Sequence, residues 1–339
     1  MRPDEAVRSA PLLLPHVDVL DGVVRVHGAG VDAFSPAEVQ LLRESRGERP
    51  LEDLDASERE TIARARRHGL LVLVPLRDER KALRSPAALV VSPHPDDATL
   101  SLGATLAGTS ARVVNVFSVE TWTGRSFYAQ RPDQTSALLL DEERVACRVL
   151  DVDPLFLGFV DAPARGWGDQ FMRAGEAHSP EVEAERVTTT ESVAEALAAC
   201  VADAQPRIVF APLAVASHVD HLICRDAVLA LVLRGVLAPG QARFYEDLPY
   251  AVFEASDGAA AAAQAALGES GVTLTEIVAE ATATAAGAKA EALQAYRIQL
   301  RDGIRRRVIA HGWRLGAGQD PPRGFCERWW AGDECRALP

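Results

Sequence analysis

The chain has 339 residues, 48% of them apolar, and its 48 acidic against 36 basic side chains give a formal net charge of −12. That length and composition suit one large α/β domain with a small companion, and the acidic balance argues against nucleic-acid or anionic-membrane partners, both of which need basic patches. No run reaches the roughly 18 apolar residues of a membrane span, and Met1 to Glu5 lacks the basic start of a signal peptide, so a cytoplasmic protein is expected.

Residues 1–84 read as a separate small module. Val17 to Leu20 and Val23 to Val26 flank Asp21-Gly22, a hairpin signal. Ser35-Pro36-Ala37-Glu38 has a capping-box helix start with proline at the first position. A second helix is predicted over Ser57 to His68, and Gly69 to Val74 closes the unit as a strand. The β-β-α-α-β order resembles winged-helix-like modules, including PqqD-like peptide-recognition domains. It implies packing on the main domain or a peptide or protein contact through residues 1–84, with no basic face for DNA.

Residues 85–339 alternate strand and helix, the pattern of a doubly wound, mainly parallel sheet. The apolar run Ala87 to Val91 reads as a buried strand, followed by Ser92-Pro93 and the cluster His94-Pro95-Asp96-Asp97, with a helix predicted from Ala98 to Leu106. A second strand-like run, Arg207 to Pro212, precedes His218-Val219-Asp220-His221. Both clusters therefore stand at the carboxyl ends of strands, where open α/β sheets bind ligands. His94 and Asp97, three residues apart across a strand-to-helix turn, can converge on one ion while Asp96 points elsewhere and is free to act on water. An imidazole from the second cluster would complete three ligands with an open position, the arrangement of catalytic zinc. Capping of the helix would account for one of the two aspartates at most.

Further strands and helices are predicted at Val113 to Phe117 and Glu143 to Leu150, with Ala-rich helices at Gly258 to Leu267 and Ala279 to Ala295. The five cysteines (Cys147, Cys200, Cys224, Cys326, Cys335) form no disulfide framework and no Cys-x-x-Cys site. Trp329-Trp330 is expected to dock the C-terminal segment on the core. Two irregular stretches rich in Gly, Arg and aromatics offer Trp122, Tyr128, Arg131, Trp167 and Arg173 as a substrate rim, aromatic faces for a sugar and guanidinium groups for a phosphate or carboxylate.

The two clusters, together with Leu157-Gly158-Phe159-Val160-Asp161, Tyr245 to Tyr250, and Lys289, Tyr296 and Gln299, resemble the PIG-L (LmbE-like) family of zinc-dependent N-acetylglucosaminyl deacetylases over residues 85–339. The resemblance implies a Rossmann-like deacetylase fold and one Zn2+ per chain held by His94, Asp97 and His221. It also implies that Asp96 is the base that activates water, and that His218, oriented by Asp220, stabilises the oxyanion or protonates the leaving amine. The activity implied is hydrolysis of an N-acetyl group on an amino sugar or sugar-containing natural-product or cofactor intermediate. Ala98 stands where the family has glutamate and Val219 where it has proline; the loss of a supporting carboxylate at 98 also motivates a rival reading, a binding or regulatory protein that kept the fold, or a zinc enzyme acting on another amide.

Overall fold

The computed structural model describes residues 9–20, 23–27, 29–31, 34–76, 85–121, 123, 132–166, 179–268 and 272–332. The N-terminal segment comprises β1 (Ser9–Leu13), β2 (Val17–Leu20), β3 (Val23–Val26), β4 (Ala29–Val31), α1 (Pro36–Glu44), α2 (Ala56–Arg67) and β5 (Leu71–Pro75). β2, β3 and β4 form an antiparallel sheet, while β1 pairs with β5. The hairpin and the Ser35 capping box lie where the sequence puts them. β1 and β4 go beyond that expectation, and α2 starts earlier than Ser57 because Asp55 supplies its own capping box with Glu58.

The remainder comprises β6 (Ala88–Ser92), α3 (Asp97–Leu106), β7 (Ala111–Asn115), α4 (Pro132–Leu150), β8 (Asp153–Phe156), α5 (Pro180–Ala204), β9 (Ile208–Pro212), α6 (Val219–Leu233), β10 (Ala242–Tyr245), α7 (Asp257–Leu267), β11 (Leu274–Glu280), α8 (Ala283–Ala292), α9 (Asp302–Ala317) and β12 (Cys326–Gly332). One seven-stranded sheet runs in the order β11-β12-β10-β9-β6-β7-β8, parallel from β10 to β8 and antiparallel at the β12 and β11 edge. The chain leaves β6 toward β7 and β8, then returns to its other side for β9 and β10, so the order reverses between β6 and β9. The carboxyl ends of these two strands diverge there into a crevice.

The expected Ala279 helix is corrected: residues 279 and 280 end β11, and the helix begins only after the Thr282 N-cap. Trp329 and Trp330 do sit in β12, buried.

Both faces of the sheet are covered, which explains its continuous apolar strands. Ala88 and Val90 of β6 pack with α3, α4, Leu293 and Tyr296, whereas Leu89 and Val91 pack with α5, α6 and α7. The N-terminal segment belongs to the first of these cores. Leu14, Val39, Leu42, Ile62, Leu70, Val72 and Val74 share one buried cluster with Val90, Val145 and Tyr296. Polar contacts cross the same boundary: Glu291 pairs with Arg66 and accepts the Leu73 backbone N–H at 2.9 Å, and Arg148 donates to the Gly47 carbonyl at 3.0 Å. A division at residue 84 is therefore not a division of the core.

Candidate active site

His94 lies in the turn between β6 and α3. Ser92 Oγ donates to the His94 carbonyl at 2.7 Å and accepts from Ala98 N at 3.1 Å, and His94 N donates to Asp97 Oδ2 at 2.9 Å. Asp96 occupies the N-cap position of α3 at φ 125°, yet its side chain makes no capping hydrogen bond. A non-glycine residue there costs about 1–3 kcal/mol. Capping does not account for Asp96; the strained turn leaves its carboxylate on the wall of a cavity of about 360 Å3. The loop before the second cluster is strained in the same sense, with Ala214, Ala216 and Ser217 all at positive φ.

The two clusters meet across the crevice. Asp97 Oδ2 lies 3.3 Å from His94 Nδ1 and 3.3 Å from His221 Nε2. Behind them, His94 Nε2 is 3.0 Å from Asp220 Oδ2, and His221 Nδ1 is 2.6 Å from Asp247 Oδ1. Each histidine thus has a carboxylate behind it and its other nitrogen facing Asp97, the arrangement that fixes tautomer and ring direction in histidine metal ligands. His94, Asp97 and His221 each offer a ligand atom within 4.8 Å of the others, all three residues being buried. Among the described residues, the buried His221 Nε2 has no partner of good hydrogen-bond geometry, its 3.3 Å approach to Asp97 Oδ2 being an ionic contact.

These residues fit a divalent ion. A second grouping, His94 with His218 and Asp220, is equally compact. Its carboxylate is already engaged, however: Asp220 Oδ2 accepts from Ala162 N at 2.9 Å as well as facing His94, and Oδ1 accepts from Arg165 at 2.7 Å.

The electrostatics separate the roles. His221 and His94 hold Asp97 far below the usual carboxylate range against the opposing effect of burial. Burial, reinforced by the Asp97 and Glu120 carboxylates, pushes Asp96 well above it. Two adjacent carboxylates in one cavity are thereby driven apart, one ionised and one that holds a proton readily, the pattern that marks acid and base assignments. His218 is held well below the ordinary imidazole value by burial and by the neighbouring His221 and His94 rings. The Asp220 carboxylate, expected to orient His218, instead serves His94, and what His218 Nδ1 receives is the Asp220 backbone N–H at 3.2 Å. With Nδ1 accepting that N–H, the proton of a neutral His218 ring stands on Nε2.

Trp122, Tyr128, Arg131, Trp167 and Arg173, expected at the substrate rim, lie outside the described residues. The cavity wall instead shows Glu120, Asp161, Tyr250 and Gln299 beside the two clusters. The sequence pattern does not mark Asp247, Glu120 or Gln299 as site residues, although Asp247 follows β10 at the same carboxyl-end position that marks the two histidine clusters. Glu120 is pushed up to about 8 by burial, with Asp161 and Asp97 adding to the effect and His94 opposing it. Ala98 is buried, and the carboxylates behind the two imidazoles are those of Asp220 and Asp247.

Fold and site together describe an open α/β protein with a His–Asp–His cluster at its topological switch point. Residues 89–232 match the family model PIG-L, GlcNAc-PI de-N-acetylase. Over 185 residues, 52% of this chain, the sequence is 38% identical to a 2′-N-acetylparomamine deacetylase of Streptomyces fradiae, a match spanning 62% of that relative's length. Among solved structures, an A40926 pseudoaglycone deacetylase superposes with a TM-score of 0.54 at 23% identity, covering 75% of this chain and 100% of that one. A deacetylase–teicoplanin complex from the teicoplanin biosynthesis pathway gives 0.53 at 23% identity, covering 74% and 99%. These two show a shared fold.

Proposed function

We propose that this chain hydrolyses the N-acetyl group of an amino sugar, or of a sugar-containing natural-product intermediate, with one divalent ion per chain, zinc in the first instance, held by His94, Asp97 and His221. The observation that carries the reading is a buried His221 Nε2, without a well-formed hydrogen bond among the described residues, facing Asp97 and His94 on the wall where Asp96 presents an uncapped carboxylate. The name of the 38% identical relative supports the acetamide of an amino sugar as the substrate.

Once bound, the ion would act as a Lewis acid that acidifies water and polarises the acetyl carbonyl. Asp96 accepts the proton of the attacking water. His218 donates from Nε2 to the oxygen that gains negative charge as the carbonyl carbon becomes tetrahedral. As the C–N bond breaks, Asp96 returns its proton to the departing nitrogen, leaving acetate and a free amine. The proton is assigned to Asp96 because its uncapped carboxyl stands on the cavity wall. Asp220 and Asp247 hold the His94 and His221 rings, and Tyr250, whose ring lies 5.3 Å from that of His221 edge-on, forms part of the wall.

The test is metal analysis of the purified full chain together with a screen of N-acetylated sugars for acetate release. One equivalent of metal and acetate release, both lost in His221→Ala, are expected. Stoichiometric metal retained by His221→Ala but not by His218→Ala would reverse the assignment within the second cluster.

A further inference from the structure

A second concavity lies where the N-terminal segment meets α8 and α9, and it shares no lining residue with the catalytic cavity. It measures about 710 Å3, within the usual range of small-molecule sites. Its polar wall holds Arg67 and His68 from the end of α2, Arg297 from the connection between α8 and α9, and Asp302, Arg305 and Arg306 from the start of α9. The floor is apolar, made by Leu293, Ile309 and Ala310. Arg306, Ile309, Ala310 and Trp313 stand at i, i+3, i+4 and i+7, so one stripe of α9 faces the cleft, with a guanidinium at one end and an indole, 49% exposed, about two turns or ~10 Å further on.

The charge of this cleft runs against that of the chain, which carries a formal −12. Among the described residues, four guanidinium groups line it against one carboxylate. That carboxylate, Asp302, is shared, paired with Arg305 and 3.4 Å from Arg297. Arg305 also donates to the Tyr296 and Leu300 carbonyls at 2.8 and 3.2 Å, and Arg297 donates to Gln294 Oε1 at 2.9 Å, which fixes both side chains. Arg67 and Arg306 are exposed and have no hydrogen bond or ion pair among the described residues. The helix dipole favours a cation at the carboxyl end of α2, where Arg67 stands, but opposes the cations that crowd the amino end of α9, with Arg301 at the N-cap and Arg305 and Arg306 within the next two turns. An anion bound in the cleft offsets that repulsion. Two unpaired forks on opposite walls match an anion with two charged groups, whereas a single carboxylate would occupy one of them. The exposed indole at the far end of the stripe offers its face to an aromatic ring.

We propose that this cleft binds a nucleoside diphosphate, its two phosphates held by Arg67 and Arg306 and its base stacked on Trp313. The site stands independently of the hydrolytic reading. The connection from residue 297 to residue 305 serves both places, with Gln299, Leu300 and Ile304 lining the catalytic cavity and Arg297, Asp302 and Arg305 lining the cleft.

The experiment is titration calorimetry of the full chain with ADP, GDP, UDP and CDP, and with the matching nucleosides and inorganic pyrophosphate as the separate halves of each probe. The tightest of the four nucleotides is expected to bind about 10- to 100-fold more tightly than its own nucleoside, the range that charged hydrogen bonds provide. It should also bind about tenfold more tightly than pyrophosphate, through stacking of the base. The double variant Arg67→Gln, Arg306→Gln should lose the first advantage and Trp313→Leu the second; all three side chains are exposed, and circular dichroism checks that the variants are folded. Because a nucleotide can also ligate a metal, His221→Ala is titrated in parallel and should bind the nucleotide as the wild type does. Loss of binding in a folded His221→Ala would put the nucleotide at the histidine cluster and overturn the cleft. No binding of any of the four, pyrophosphate bound as tightly as the best nucleotide, or an unchanged Kd in the folded double variant would overturn it equally.

Discussion

Asp247 is the residue through which the proposed metal set can be probed without touching a ligand. Its carboxylate is buried, and each oxygen accepts one N–H: Oδ1 from His221 Nδ1 at 2.6 Å and Oδ2 from Val215 N at 3.2 Å. Asparagine has the same shape but a single acceptor oxygen, so in Asp247→Asn one of the two donors must face an NH2 group. If the amide oxygen stays on His221, the Val215 N–H is stranded in the strained loop that carries His218. If it turns to Val215, His221 loses the partner that keeps Nε2 free for a ligand role. Either arrangement leaves a buried donor unmet, about 1–3 kcal/mol, and removes the charge that makes the imidazole a better donor to a metal. Loss of such supporting partners lowers metal affinity about 10- to 100-fold, or about 1.4–2.7 kcal/mol. Competition against a chelator of known affinity, with wild type and Asp247→Asn side by side, measures this directly, and circular dichroism confirms that the variant is folded. A folded Asp247→Asn that binds metal within twofold of wild type would refute the assignment of His221 as a ligand held by Asp247.

Asp96→Asn should keep its metal while turnover falls about 10²- to 10⁴-fold, the usual contribution of a general base; near-normal turnover in the metal-loaded variant would place the base elsewhere. Glu246 accepts from Ser256 Oγ at 2.6 Å and His311 Nε2 at 2.9 Å and is paired with Arg328, and these partners, opposing burial, hold its carboxyl down at about 2 against an ordinary 4.5. A depressed carboxyl stabilises the fold fully above about pH 4.5 and loses its contribution as pH falls toward about 2. The difference amounts to about 3 kcal/mol, so denaturant titrations from pH 6 to 2 should show a correspondingly shallower acid limb in Glu246→Gln. A chain beginning at Ser85 should fail to give a cooperative melt, because removing Leu42, Ile62, Leu70, Val72 and Val74 uncovers the apolar face of the core they share with Val90 and Tyr296, at about 1.5–3 kcal/mol per buried side chain. A thermal midpoint close to that of the full chain would show the two parts to be independent.

The parts of this structure that the sequence discloses are those governed by local rules. A continuous apolar strand followed by His94-Pro95-Asp96-Asp97 places a cluster at a strand end, because periodicity and turn chemistry act within a dozen residues. The capping box at Ser35 and the hairpin at residues 17–26 are legible for the same reason. What escaped is decided by tertiary approach. Asp220 serves His94 rather than its sequence neighbour His218 because α6 enters the crevice with residue 220 turned toward the β6 end, a matter of helix rotation that no local pattern records. Asp247 and Glu120 stand in unremarkable strings after their strands and acquire meaning only from the strand order, which brings β7, β6, β9 and β10 side by side with their carboxyl ends at one crevice. Since every parallel strand of a doubly wound sheet presents its carboxyl end to the same side, an acidic residue just past any of these four strands has a strong claim on the site. Applied beforehand, that rule would have singled out Asp247, two residues beyond Tyr245, and Glu120, five beyond Asn115. The bonds to His221 and Gln299 are what turn that topological coincidence into chemistry.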